Sequence, residues 1–220
     1  MEGCDYTWLM DDDTIPSSTA LEELVKVTSL DKNVGFVCSQ VNWTDGKPHA
    51  MNKACLIYKN GVQSKVEYNG ILGIHCSLAS FVSVLVNTKA VYQLGLPIKE
   101  FFIWCDDLEY TLRIAKSYPC FYAPNSIVCH KTATNYSPSI DKAPANMAWR
   151  FYYSIRNSCY IKRKQVNKIV FFFSVLNKYR VCMVRLNRRP SKEGREEFIR
   201  AIKQGCWDGL SFNPDIEYLS

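Results

Sequence analysis

The sequence has no apolar run long enough to cross a bilayer. The longest, IVFFFSVL from Ile169 to Leu176, falls well short of the roughly 18 residues that a spanning helix requires. None of the ten cysteines forms a C-x-x-C pair, and their spacings are irregular, so a zinc framework has no support. The opening MEGCDYTW carries acids where a secretory leader carries bases. Without an export signal a disulfide framework is not expected, and the cysteines read as scattered reduced thiols of a cytosolic protein. Internal repeats and low-complexity tracts are also missing, and histidine occurs only three times. What is present is ordinary globular composition, 47% hydrophobic and 22% charged, which excludes general disorder. At 220 residues and 25.3 kDa the chain fits one domain with a helical appendage.

The net charge of +6 hides an asymmetry. Residues 1–110 hold 8 Lys and Arg against 14 Asp and Glu, a net −6; residues 111–220 hold 19 against 7, a net +12. An acidic half suggests a cation site, and a basic half suits phosphates or an anionic membrane surface.

Along the chain, DYTWLM reads as a buried strand that ends in Asp11, Asp12 and Asp13 and is broken at Ile15-Pro16. SSTALEELVKVTSL reads as a helix, with Thr19 and Glu22 at capping-box spacing. NVGFVCSQV is a strand candidate, NWTDGKPHAMN a polar loop, and ACLIY–KNG–VQSKVEY a hairpin. ASFVSVLV reads as a strand, and TKAVYQLGLP as a short helix stopped by Gly95 and Pro97. FFIWC reads as a strand running into the helical DDLEYTLRIAKSY, and SIVCH as a strand ending at His130. From about residue 143 a basic helical pattern continues to the C-terminus. Strands separated by helices argue for an α/β fold with a mostly parallel sheet, in which ligands collect beyond the carboxyl ends of the strands.

Three of these strands end in metal-capable residues: Asp11 to Asp13, Asp106 with Asp107, and His130. In extended chain alternate side chains share a face, so Asp11 and Asp13 could reach one ion while Asp12 points elsewhere. Magnesium or manganese suits such oxygen ligands and keeps positions open for a diphosphate. The plain alternative is a solvated turn in which Asp13 caps the next helix. Asp106 and Asp107 are either helix N-caps or a general base for an attacking hydroxyl. Glu109 either orients an acceptor or pairs with Arg113, its i+4 neighbour. His130 is either a metal ligand or a satisfied core histidine. Convergence of all three features on strand ends favours the functional reading.

At these residues the chain resembles family-two inverting glycosyltransferases with the GT-A fold. YTWLMDDDTIP resembles their metal-binding acidic motif. LGLPIKEFFIWCDDLEYTLRI is similar to the catalytic-base segment of the galactofuranosyl and rhamnosyl branches. VCHKTATNY resembles the strand that supplies a histidine to the metal, and RFYYSIRNSCYI the helix that follows the catalytic domain. The likeness runs from about residue 4 to 165. It implies a partial GT-A (Rossmann-like) mixed sheet over 1–142, with flanking helices, and a basic helical extension over 143–220.

It also implies roles. Asp11, Asp13 and His130 would hold a divalent ion, Mn2+ or Mg2+, with the diphosphate of a nucleotide-sugar donor on its open side. Asp12 would lie near the donor. Asp107, with Asp106 as second choice, would be the base, and Trp104 and Glu109 would line the pocket of a glycan or lipid-linked acceptor. The sugar would be galactofuranose or rhamnose by analogy, transferred with inversion. The family carries a nucleotide-binding half before its acidic motif, whereas only ten residues precede Asp11, so the chain is expected to be the C-terminal, acceptor-side part of such an enzyme.

Between Arg150 and Lys203 bases are interleaved with aromatics, from Trp149 to Tyr153 and from Phe171 to Phe173. This pattern suits peripheral attachment to anionic lipid at the cytoplasmic face of the cell membrane, or a solvated helical face; no nucleic-acid partner is expected. Asn42 and Asn135 match the glycosylation pattern, which has little meaning without secretion. Two other functions compete: a non-catalytic remnant that binds a partner, and two-metal phosphoryl transfer.

Overall fold

Strand β3 (Phe36–Asn42) shows why the sheet forms where it does. Phe36 and Cys38 pack into one apolar cluster and Val37 into another, so the strand is covered on both faces. A computed structural model describes residues 3–219. Before β3 come β1 (Tyr6–Leu9), β2 (Thr14–Pro16) and α1 (Ala20–Thr28). After it come β4 (Cys55–Leu56), β5 (Tyr58–Lys59), β6 (Val62–Gln63), β7 (Lys65–Tyr68), β8 (Ile71–Leu78), β9 (Val84–Asn87), α2 (Thr88–Leu94), α3 (Asp106–Ala115) and β10 (Cys120–His130). Helices α4 (Ala148–Arg163), α5 (Lys168–Asn187) and α6 (Arg195–Gly209) complete the chain.

The fold is α/β. The main sheet has the order β1-β9-β3-β10-β8-β4, with β2 beside β10 and β7 beside β8; β5 and β6 form a separate hairpin. The expected mostly parallel sheet is corrected to a mixed, mostly antiparallel one, because β3 and β10 form its one parallel pair among the described residues. Within this sheet only β7 and β8 are joined by a tight hairpin; the other antiparallel partners lie far apart in the chain, so the local alternation of strands and helices does not set their direction. Even so, β1 and β3 both run antiparallel to β9, and β3 is parallel to β10, so β1, β3 and β10 point the same way.

Two packed units are distinguishable. The first, Met1–Pro97, Asp107–Ser137 and Ile216–Ser220, contains the sheet. Leu24 and Val27 of α1 pack with Val37, Leu85 and Phe121 on one face; Ala90, Val91, Tyr110 and Ile114 of α2 and α3 pack with Phe36, Val84 and Val86 on the other. In the second, Ile98–Asp106 and Pro138–Asp215, Phe151, Ile155, Phe171, Val175, Phe198 and Ile202 form a helical core. The expected division at 142/143 therefore shifts to 137/138. Segment 98–106 joins the helical unit, and the last residues return to the sheet unit, where Leu96 N donates to Glu217 O at 2.8 Å.

Four local expectations are corrected. FFIWC is not a strand: Lys99–Phe101 is a 3-10 turn, and Phe102, Trp104 and Cys105 have φ of 61°, 61° and 68°. Each such residue costs on the order of 1–3 kcal/mol. Fully buried Asn157 of α4 holds the segment, its amide donating to the carbonyls of Phe101, Ile103 and Trp104. Asp106 therefore follows an irregular segment rather than a strand end. Thr19 makes no side-chain cap; its backbone is already helical at φ −104° and ψ 0°, and Glu22 pairs instead with Lys26 Nζ at 2.7 Å. ASFVSVLV is extended only from Val84. The C-terminal helical pattern stops at Gly209, beyond which residues 212–219 are irregular.

Gly35 precedes β3 at a close approach: a Cβ there would lie 2.5 Å from Ile114 Cγ2 and 2.5 Å from Tyr118 Cβ. Gly35→Ala is expected to lower stability by about 1–3 kcal/mol through overpacking, read from urea unfolding followed by tryptophan fluorescence.

Candidate metal centre

The shared direction of β1, β3 and β10 brings their carboxyl ends to one edge of the sheet. The chain leaves β1 at Leu9, turns through Met10 to Asp13 and enters β2, which pairs antiparallel with the end of β10. Thr14 lies opposite His130, and Lys131 N donates to Asp13 O at 3.0 Å, which fixes Asp13 beside the imidazole. Thr14 N also donates to Asp11 O at 3.2 Å, closing the turn.

Side-chain geometry follows from this backbone. His130 Nε2 lies 2.9 Å from Asp13 Oδ1 and 3.9 Å from Asp11 Oδ2. One ligand atom from each residue falls within 4.8 Å of the others. Ligands at about 2.1 Å from an octahedral ion sit roughly 3.0 Å apart along an edge, so these separations bracket a single ion. The carboxylates are 46% and 44% exposed and the imidazole only 5%, an arrangement with one anchored nitrogen and two oxygens open to solvent. Asp12 is exposed and stands outside the cluster; residues 11–13 form a turn and not the extended chain expected, so the turn and not strand alternation separates it from Asp11 and Asp13.

Asn52 sets the chemistry of the nitrogen. Its Oδ1 lies 3.0 Å from His130 Nδ1 and can only accept, so Nδ1 carries the hydrogen. The Nε2 lone pair then faces the two carboxylates, an arrangement suited to a shared cation. Metal-bound histidines ordinarily donate their other ring N–H in this way. The hydroxyl oxygen of Thr14, opposite His130 in register, is buried without a hydrogen-bond partner. The donor set of one imidazole and two carboxylates fits Mn2+ or Mg2+.

His49 stacks 4.8 Å from His130 but cannot be a ligand. Its Nδ1 accepts from Met51 N at 3.3 Å, so its Nε2–H donates to Thr132 Oγ1 at 2.9 Å. Burial, then the neighbouring His130, lowers its pKa, against an opposing pull from Asp13, so the neutral form is favoured. The loop that carries His49 and Asn52 is strapped to the segment after β10: Trp43 Nε1 donates to Thr132 O, and Ala50 N donates to Asn135 Oδ1. Neither Asn52 nor His49 is distinguishable in the sequence beyond lying in a polar loop.

Among the described residues this is the one metal-capable cluster. Asp107 lies in the same unit, in the first turn of α3, with one carboxylate oxygen accepting from Leu108 N at 2.7 Å. Asp106 and Trp104 belong to the helical unit, where the Trp104 ring packs edge-on against Phe151 at 5.1 Å. Glu109 is buried, and both its oxygens engage Arg113, at 2.9 Å to Nε and 2.9 Å to Nη2. Of its two readings the structure selects the ion pair, so this carboxylate anchors α3 instead of facing an acceptor. Burial pushes the Cys120 and Cys206 thiols up to about 12, which keeps them protonated and inert. Neither a protein-family model nor a curated protein matches the chain.

Proposed function

We propose that the chain is a metal-dependent inverting glycosyltransferase, or the acceptor-side portion of one. The observation that carries the reading is the Asp11–Asp13–His130 cluster, oriented by Asn52 at the carboxyl ends of three co-directional strands. The order of the acidic, base and histidine motifs along the chain supports it. Asp11, Asp13 and His130 would hold Mn2+ or Mg2+, and the ion would offset the charge of the departing diphosphate. Asp107 takes the proton of the acceptor hydroxyl, whose oxygen attacks the anomeric carbon as the bond to the diphosphate oxygen breaks, inverting the configuration. Asp12 lies next to the donor. A two-metal nuclease-like site is less well supported, because ions about 4 Å apart need shared carboxylates and the described residues offer one three-ligand cluster.

Calorimetry tests the proposal. Mn2+ is titrated first, then a nucleoside-diphosphate sugar with and without Mn2+. Metal binding followed by metal-dependent binding of the sugar nucleotide is expected. Metal binding with no heat from the sugar nucleotide at millimolar concentration would leave the metal centre standing and remove the transferase reading.

A further inference from the structure

Between Lys142 and Lys192 the sequence holds thirteen Lys and Arg and no Asp or Glu. Helix α5 lies within this stretch and has two contrasting sides. Phe171, Val175 and Leu186 are buried in the helical core. Ile169, Phe172, Phe173 and Leu176 are instead 72%, 50%, 63% and 50% exposed. At about 100° per residue, Ile169, Phe173, Leu176 and Arg180 fall within an arc of roughly 60°, with Phe172 at its flank. Exposed Lys164 and Lys168 precede this apolar stripe, and exposed Arg180 and Arg188 follow it.

We infer that this face of α5 docks on an anionic lipid surface, with the helix lying in the headgroup plane. The apolar stripe enters the acyl boundary and the flanking cations meet lipid phosphates. The occupant follows from what each half of the face requires. A nucleic acid would satisfy the cations and stack bases on Phe172 and Phe173 at best, leaving the aliphatic Ile169 and Leu176 of the same stripe in water. A second copy would bury the phenylalanines but set cations against cations, with no acid in the segment to offset them. An anionic bilayer supplies both hydrocarbon and phosphate. No helix among the described residues is long and apolar enough to cross a membrane, so insertion stops at the interface. The inference is independent of the transfer chemistry, since no residue of α5 belongs to the metal cluster.

Co-sedimentation of the full chain with vesicles tests it, using phosphatidylcholine alone and phosphatidylcholine with about 30% phosphatidylglycerol. Binding is expected on the anionic vesicles and not on the neutral ones, and it should weaken as salt approaches about 1 M. The double substitution Phe172→Ser with Phe173→Ser is expected to lower the partition coefficient by about tenfold or more, with an unchanged far-UV spectrum because both rings are exposed. Phe173→Ser alone serves if the double variant does not fold, with a smaller loss in the same direction. No sedimentation with anionic vesicles overturns the inference, as does equal partition of wild type and variant. So does a dimer by light scattering that the same substitution converts to monomer, which would assign the face to a second copy.

Discussion

Asp13→Ala is expected to lower Mn2+ affinity by at least about 100-fold, a larger loss than removing a residue that only orients a ligand causes. The measurement is the free-Mn2+ signal in electron paramagnetic resonance at neutral pH. Its carboxylate is 44% exposed and touches His130 Nε2 at 2.9 Å, so truncation removes a ligand without opening the core. The backbone carbonyl that receives Lys131 N remains, and the β2–β10 pairing with it. The thermal midpoint should therefore move little. Asp12→Ala is the matched control, because Asp12 is exposed, adjacent and outside the cluster; its affinity should change by less than about threefold, an effect below 1 kcal/mol. Equal losses in the two variants would show that general acidity of the turn, and not a ligand set, attracts the ion. Asn52→Ala, which removes the acceptor that orients His130 Nδ1–H, should fall between them at about 10- to 100-fold.

Arg113→Met is expected to destabilise the protein by about 3–5 kcal/mol, the usual cost of stranding one member of a buried ion pair. Arg113 and Glu109 side chains are only 14% and 10% exposed. The guanidinium binds both oxygens of Glu109 and also donates to the carbonyls of Leu94 and Leu96, the second at 3.0 Å. It thereby satisfies backbone acceptors at the end of α2 that have no intrahelical partner. Met at 113 leaves a buried carboxylate and two carbonyls unsatisfied together. The double change Glu109→Met with Arg113→Met should recover part of the loss, since the buried charge is then gone. At about 2–4 °C per kcal/mol for a chain of this size, the single variant should melt roughly 6–20 °C below wild type. Lys26 provides the contrast: its partners Glu22 and Glu23 are 62% and 21% exposed and its own side chain 43%, so Lys26→Ala should cost less than about 1 kcal/mol.

The parts of the fold that were legible in sequence are those where one strong pattern decides the outcome. The apolar TWL before three acids, the FVC-led run FVCSQV and the run ending SIVCH each became a strand, and the strand ends bring Asp11, Asp13 and His130 together. The KNG turn and the Gly95 stop likewise follow from backbone preferences of single residues. Long-range relations were not legible. Strand β8 is obscured because Gly73 and His75 interrupt its apolar pattern, although Gly73 is needed where a Cβ would lie 2.6 Å from Leu30 Cδ1. FFIWC has the aromatic and β-branched composition of a strand, but its carbonyls are taken by an asparagine more than fifty residues away. Strand direction was misjudged for a similar reason, since pairing partners lie far apart in the chain. Asn52 was invisible because its role depends on where a loop lands, and no local period encodes that.

The amide of Asn157 has a consequence for chemical ageing. It stands before Ser158, a small neighbour that does little to shield it when the chain is unfolded. Loss of ammonia there would replace an amide that donates to Phe101, Ile103 and Trp104 with a carboxylate that can only accept. Three carbonyl dipoles would then face a negative charge at a position with no access to solvent. The native helix protects the residue, so each excursion to the unfolded state carries a small chance of covalent damage that refolding cannot reverse. Damage at this one position should therefore accumulate in step with the unfolded population of its unit.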